Sequence, residues 1–186
     1  DTKLEAPEMT QNFEPLQATP FDDSAMNKLT ALLAPIENMS AGFMQKVTDG
    51  QDYLIQESSG SMTVARPGKI YWQALPPYEQ VLVSDGQTIS LYDKDLEQVT
   101  VKPFDSSISN TPAVLFIGDL SELSSAFDVS SKESEGRSIF TLMPLDESSL
   151  YQKLILEFAG TFPKSMILWD SLGQQTMVSF SEVTIN

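Results

Sequence analysis

The chain contains 186 residues, 41% of them hydrophobic, and this length favours a single domain with a substantial core. An excess of 26 acidic over 11 basic residues gives a net charge of −15, which disfavours binding to nucleic acid or to anionic lipid headgroups. Cysteine and histidine are both absent, which excludes disulfide bonds, an N-terminal lipidated cysteine, thiolate or serine–histidine catalysis and most zinc sites. We therefore expect no metal and no cofactor.

Residues 1–20 contain three prolines and scattered acidic residues, without a periodic apolar pattern. They predict a flexible acidic leader, followed by one domain over residues 21–186. No run of about 18 apolar residues occurs, so the sequence predicts no membrane-spanning helix. The chain begins at Asp1 without a methionine or an apolar signal core, which is typical of a mature exported protein.

An amphipathic helix is predicted directly after the leader. Asp22, Asp23 or Ser24 can cap its N-terminus, and Pro35 limits its C-terminal end. Its apolar side chains recur at helical spacing and form one stripe, at Met26, Leu29, Leu32, Leu33 and Ile36. By itself this stripe indicates an ordinary helix packed on a core.

Short apolar runs separated by glycine and proline turns fill most of the remaining chain, and they predict antiparallel strands joined in sequence. Two short helical segments interrupt them, at residues 111–117, where Pro112 suits a first helical turn, and at residues 121–126. We predict a mainly β (α+β) domain with three helical pieces and about eleven strands, at residues 41–47, 53–65, 70–74, 81–83, 88–92, 96–101, 127–131, 138–143, 151–158, 162–169 and 175–185.

Several of these strands are apolar on both faces. Leu154, Leu156 and Phe158 alternate with Ile155, which gives more apolar surface than an antiparallel sheet with one solvated face requires. A strongly curved sheet under a helical cover can enclose an apolar cavity. A plain packed α+β core explains the same pattern, so both interpretations stay open at this point.

Six short motifs occur together in one order along the chain. They are GFMQKV at residues 42–47, ARPGKIYW at 65–72, VSDG at 83–86, LYD at 91–93, LEQV at 96–99 and NTPA at 110–113. Each motif alone is a weak turn or strand signal. Their order and spacing resemble the LolA family of periplasmic outer-membrane lipoprotein carriers, and the resemblance runs from the first helix to the C-terminus.

The resemblance implies an incomplete antiparallel β-barrel of about eleven strands, with a lid of three helices over a hydrophobic cavity. It implies a monomeric carrier in the periplasm that has no catalytic residues. Such a carrier receives the acyl chains of a lipoprotein from the inner-membrane ABC transporter LolCDE and delivers them to the outer-membrane receptor LolB. Shielding is needed because each CH₂ group left in water costs about 0.8 kcal/mol.

The resemblance also assigns roles to residues. Arg66 stands where the family has an arginine whose guanidinium bonds main-chain carbonyls of the lid helices in the empty protein, here in residues 29–33 and 115–118. The ordinary alternative is a surface arginine paired with a carboxylate. The implied lid residues are Met26, Leu29, Leu32, Leu33, Val114, Leu115 and Ile117. The implied acyl-cavity wall consists of Phe43, Ile70, Trp72, Ile89, Leu91, Leu156, Phe158, Met166 and Leu168.

Two features depart from the family pattern. Ile70 replaces a residue that is commonly aromatic, and the sequence ends at Asn186, where relatives usually continue through another strand. The alternative function is a lipoprotein- or lipid-responsive sensor or regulator with the same fold. A hydrolase built on Asp93 and Asp95 is disfavoured, because both residues lie in a predicted turn.

Overall fold

A computed structural model describes residues 23–103, 115–116, 118–149 and 151–186. The predicted leader, residues 1–20, lies outside the described residues. So do Val114 and Ile117, two of the predicted lid residues.

The first helix, α1 (Asp23–Leu33), follows the predicted amphipathic pattern. Its buried residues are Ala25, Leu29 and Leu33, which follow one another about one turn apart and form a single stripe. The helix ends before Pro35, whose ring cannot continue a helix, and the Ala34 N–H closes the last turn on the Thr30 carbonyl at 2.8 Å. The strip of chain that follows, residues 34–38, ends on the first residue of the first strand, and we call it the linker.

All eleven predicted strands are present, with ends that differ from the prediction by a few residues. Each is antiparallel to its neighbours. They are β1 (Asn38–Thr48), β2 (Leu54–Ala65), β3 (Lys69–Ala74), β4 (Gln80–Asp85), β5 (Thr88–Asp93), β6 (Gln98–Pro103), β7 (Phe127–Ser134), β8 (Arg137–Pro144), β9 (Tyr151–Ala159), β10 (Phe162–Asp170) and β11 (Gln175–Ile185).

The strands form one sheet in the order β6-β5-β4-β3-β2-β1-β11-β10-β9-β8-β7. Strands that are consecutive in sequence pair with each other, except β6 and β7, and the pairing of β1 with β11 joins the two halves of the sheet. The strands β6 and β7 form the two edges, so the sheet is not closed. The prediction of a mainly β fold with an incomplete antiparallel sheet of eleven strands is therefore confirmed.

The prediction of three helical pieces is wrong for the part of the chain that the structure describes, which contains two α-helices. The second, α2 (Leu123–Ala126), is only four residues long and follows a 3₁₀ turn at Leu120–Glu122, so both together fill the predicted segment 121–126. The Asp119 carboxylate caps this turn by accepting the Ser121 N–H at 2.9 Å. The helix stops because Phe127 is already extended and begins β7. Of the predicted segment 111–117, only Leu115 and Phe116 are described.

One face of the sheet carries the core, and α1 packs on that face beside β7. Inward positions alternate along each strand, as in β9, where Leu154, Leu156 and Phe158 are buried. In the strands that are apolar on both sides, the second set of apolar side chains lies on the opposite face of the sheet. Ile155 pairs with Ile167 there, and the ammonium of Lys153 lies 4.3 Å from the ring centre of Trp169. Among the described residues, cross-strand packing therefore covers the extra apolar surface.

Candidate functional site

Arg66 lies immediately after β2, in the turn that leads to β3, and its half-buried guanidinium reaches three separate stretches of chain. Its Nε donates to the carbonyl of Ile36 at 2.9 Å, its Nη1 to that of Gly118 at 3.1 Å, and its Nη2 to that of Leu33 at 3.3 Å. The planar fork of donors allows one side chain to serve all three acceptors. We call these three hydrogen bonds the Arg66 latch.

The latch joins the segments that the family resemblance named. Leu33 is the last residue of α1, and Gly118 lies two residues before the 3₁₀ turn that precedes α2. The C-terminal carbonyls of a helix have no partner within the helix, so Leu33 offers a favourable acceptor for a cation. Arg66 is thus placed between α1 and the 115–118 segment, as the resemblance implied. That the contact controls lid opening stays a prediction.

Charges around the guanidinium are few. Burial lowers the pKa of Arg66 below its usual value, and the nearby carboxylate of Asp119 opposes that shift. The pKa of Asp119 is itself lowered, mainly because the Ser121 hydroxyl and N–H donate to it, and to a smaller extent because Arg66 is close. Both groups therefore stay charged around neutral pH, and the latch is a charge-assisted contact.

A groove of about 790 Å³ opens beside the latch. Its lining includes Arg66, the turn residues Gly68 and Gly86, and Asp119. The two turns approach so closely that a Cβ on Gly68 would meet the Cα of Gly86 at 2.6 Å. The buried Ser84 hydroxyl fixes them by donating to the Gly68 carbonyl at 2.7 Å and accepting the Gly86 N–H at 3.1 Å. Small residues thus hold the turn that carries Arg66 in place.

The predicted lid residues that are described all pack against the core of the sheet. Leu29, Leu33 and Leu115 are buried, while Met26 and Leu32 are partly buried and pack against the core. Helix α1 is also tied to the sheet edge by an ion pair between Lys28 and Glu133 of β7.

Sequence reasoning missed Phe116. Its ring is fully buried and meets the ring of Phe180 in β11 edge-to-face, with centroids 5.7 Å apart. No periodic pattern in the sequence marks this residue, because its ring partner is distant in sequence.

All nine predicted wall residues lie on the core face of the sheet, in one continuous cluster that also contains the inner side chains of α1. Trp72 and Leu91 are partly buried. The other seven are buried, namely Phe43, Ile70, Ile89, Leu156, Phe158, Met166 and Leu168. The structure thus brings them together in one cluster with the inner side chains of α1. Their contact with acyl chains stays a prediction.

Trp72 stacks on Phe43, with ring centroids 3.8 Å apart and planes 24° apart. The two rings come from β3 and β1, and β2 runs between those strands. Gly60 of β2 is paired with Phe43, and it presents no side chain on the core face where the rings meet. The tryptophan is therefore both a packing anchor and part of the predicted wall.

No group of metal-ligating side chains occurs among the described residues. Within the same residues, no helix is long and apolar enough to cross a membrane. The described site combines hydrogen-bond donors around Arg66 with a cluster of apolar side chains on the core face of the sheet.

The fold is an open antiparallel sheet whose apolar face carries a helix, and Arg66 binds the end of that helix. This arrangement is typical of proteins that carry an apolar ligand rather than of enzymes. The family model for the outer membrane lipoprotein carrier protein LolA matches residues 34–186. The chain belongs to this family.

Curated relatives agree with the assignment. An outer-membrane lipoprotein carrier protein from Pseudomonas fluorescens is 42% identical over 165 residues, which cover 89% of this chain and 80% of that protein. One from Chromohalobacter salexigens is 38% identical over 159 residues, which cover 86% of this chain and 76% of that protein. The expectation of a carrier without enzymatic activity agrees with this family.

Two solved structures share the fold at low sequence identity. A LolA superfamily protein from Nitrosomonas europaea superposes with a TM-score of 0.50 at 11% identity, over 88% of this chain and 93% of that one. MucB superposes with a TM-score of 0.53 at 18% identity, over 88% of this chain and 59% of that one. These likenesses concern the fold alone.

Proposed function

We propose that this chain carries lipoproteins through the periplasm, by shielding their acyl chains between α1 and the core face of the sheet. In this proposal it receives lipoproteins from the inner-membrane transporter LolCDE and delivers them to the outer-membrane receptor LolB. The observation that carries the proposal is identity of about 40% with curated outer-membrane lipoprotein carriers over most of the chain. The arrangement of Arg66, α1 and the apolar face supplies a physical mechanism.

In the empty protein, α1 covers the predicted wall and its own apolar stripe stays out of water. Leu29 and Leu33 are fully buried against the sheet in this arrangement. Acyl chains that enter beneath α1 replace these contacts with their own, so the apolar face is covered in both states. The carrier therefore stays soluble in water whether or not it is loaded.

Loading must break the Arg66 latch, and the energies involved are comparable. Hydrogen bonds from a charged donor contribute about 1.5–3 kcal/mol each, so three of them favour closure by at most about 5–9 kcal/mol. Burying a chain of about 15 methylene groups gains about 12 kcal/mol at about 0.8 kcal/mol for each group. Burial of one long acyl chain can thus offset the free energy lost when the latch breaks. When the chain leaves, re-formation of the latch recovers part of the free energy that is then lost.

The latch is therefore proposed to promote release. Re-formation of the three bonds favours the closed, empty state, which reduces the net affinity for the cargo and allows transfer to a receptor with a stronger hold. Removal of the guanidinium should leave loading intact and slow the release step.

Purified protein added to inner-membrane vesicles that contain the transporter, a lipoprotein and ATP tests the carrier function. We expect lipoprotein to appear in the soluble fraction with the carrier, and to move to receptor-containing liposomes in a second step. A carrier that leaves all lipoprotein in the vesicles would contradict the proposal.

The chain contains two arginines, so Arg137→Leu is a matched control for Arg66→Leu. Arg137 lies on the surface of β8, with its Nη1 3.4 Å from Glu157, remote from the latch segments. We expect Arg66→Leu to accumulate loaded carrier and to transfer slowly, and Arg137→Leu to behave as the wild type. Equal transfer by the two variants at matched stability would remove the latch role and leave the carrier function standing.

A further inference from the structure

The linker between α1 and β1 is held from two sides, and only one of them is the latch. Arg66 binds it through its Nε bond to Ile36 and through its main-chain N–H, which donates to the Glu37 carbonyl at 2.8 Å. From the other side, Asn186 follows β11 and donates its main-chain N–H to the Asn38 carbonyl at 2.9 Å. These two residues lie far apart in sequence and meet at the same short strip of backbone.

The side chain of Asn186 makes three further hydrogen bonds to that strip. Its Oδ1 accepts the N–H of Glu37 at 2.9 Å and that of Asn38 at 3.1 Å. Its Nδ2 donates to the Pro35 carbonyl at 2.7 Å. This orientation of the amide is the one that satisfies all three partners, because the reverse would point an NH₂ group at two N–H donors. An exposed side chain is thus fully engaged with the linker.

The two sets of bonds differ in what they connect. The latch bonds to Leu33 of α1 and to Gly118 must break when α1 moves away, whereas the third latch bond ends on Ile36. The partners of the Asn186 side chain all lie between Pro35 and Asn38, which need not move when α1 tilts. Release of the Arg66 guanidinium therefore frees the helix, while the linker stays bound to the end of β11 and to the main-chain N–H of Arg66.

We propose that Asn186 is the positioning residue of the lid hinge. It fixes residues 35–38 to the sheet, so that α1 rotates about this point when the latch opens and returns to the same place when it closes. A fixed hinge also limits the conformational entropy that α1 gains when the lid opens. Few hydrogen bonds are therefore needed to close the lid again. The inference rests on the proposed function only in so far as lid movement serves loading and release.

Local amide exchange tests the contact directly. Asn186 has a positive φ of 58°, so Asn186→Gly removes the side chain without straining the backbone. We expect the exchange protection factors of the Glu37 and Asn38 amides, measured by NMR, to fall about tenfold in this variant. Asn186→Asp keeps the acceptor for both amides, so it should retain their protection and lose only the bond to Pro35.

A matched control exists in the same strand. Glu182 is also exposed, has a positive φ of 51° and lies in β11. Glu182→Gly should leave the protection of Glu37 and Asn38 unchanged. An equal, uniform loss of protection in Glu182→Gly and Asn186→Gly would mean that the effect is general destabilisation, and it would overturn the hinge.

The mobility of α1 supplies a second readout, measured on the empty protein. The chain has no cysteine, so Asn27→Cys in α1 and Gln152→Cys in β9 would carry the only two spin labels. In the Arg66→Leu background, where the latch is absent, adding Asn186→Gly should broaden the distance distribution between the labels. An unchanged width would overturn the proposal.

These measurements use no lipoprotein, transporter or receptor. A carrier that failed the vesicle assay could still show the hinge, and a carrier that passed it could lack the hinge. Failure of the hinge and failure of the proposed function are therefore distinguishable.

Discussion

The Nη2 of Arg66 lies 3.3 Å from the carbonyl oxygen of Leu33, the last residue of α1. Because the same guanidinium also binds Ile36 and Gly118, a single side chain from the β2–β3 turn holds the helix, the linker and the segment before α2. A residue that belongs to neither helix therefore helps to fix the position of α1 over the apolar face.

Lysine cannot replace Arg66 in this role. Its ammonium is a single point charge and lacks the fork that reaches three separate carbonyls. We expect Arg66→Lys to expose α1 to exchange more than the wild type and less than Arg66→Leu, with a loss of about 3 kcal/mol of local closing free energy for two missing charged bonds. Native-state amide exchange of α1 against the β1 and β2 amides measures it, and Arg137→Lys is the control. Identical exchange of α1 in all four proteins would contradict this expectation.

Gly60 tolerates no side chain. A Cβ at this position would overlap the main-chain oxygen of Gln73 in β3, and backbone atoms of a central strand cannot yield. We expect Gly60→Ala to lower the free energy of unfolding by about 3 kcal/mol or more, as measured by urea denaturation. Ser59→Ala, at the exposed neighbouring position of β2, should change it by less than about 0.5 kcal/mol. Comparable stability of the two variants would show that β2 and β3 are not packed as described.

The stack between Phe43 and Trp72 should contribute beyond the area that it buries. A double-mutant cycle with Phe43→Leu and Trp72→Leu is expected to give a coupling energy of about 0.5–1.5 kcal/mol. The same cycle with Phe43→Leu and Leu142→Ala serves as the comparison and should give a coupling near zero, because Leu142 lies in β8, on the other half of the sheet. Additive effects for the first pair would argue against the stacked geometry.

Tyr151 should make the free energy of unfolding decrease at alkaline pH. Burial raises its pKa to about 12, whereas a tyrosine in an unfolded chain ionises near pH 10. The folded state therefore keeps the neutral phenol longer, so its contribution is complete below about pH 10 and is lost as the pH rises towards about 12. In urea titrations across this range, Tyr151→Phe should lose less stability than the wild type does. Tyr53→Phe, at an exposed position, should follow the wild type, and a wild-type-like decline in Tyr151→Phe would refute the assignment.

Eleven strands were predictable because their signals are local. Alternating apolar residues and the turns at Gly68, Gly86, Gly136, Gly160 and Gly173, all at positive φ, mark strand ends within a few residues of where they lie. The stripe of α1 and its limit at Pro35 are local in the same sense. The segment before α2 has no comparable periodicity, and the described residues contain two α-helices where three helical pieces were predicted.

Sequence by itself thus determined the order and direction of the strands, the cover of one amphipathic helix and, through the family motifs, the choice of Arg66. Only the tertiary structure decided which carbonyls Arg66 binds, which strands close on each other as β1 does on β11, and that Asn186 holds the linker. The Asn186 bonds join residues 148 to 151 positions apart. Contacts of that separation leave no periodic trace in the sequence, because they depend on where the whole sheet brings its first and last strands together.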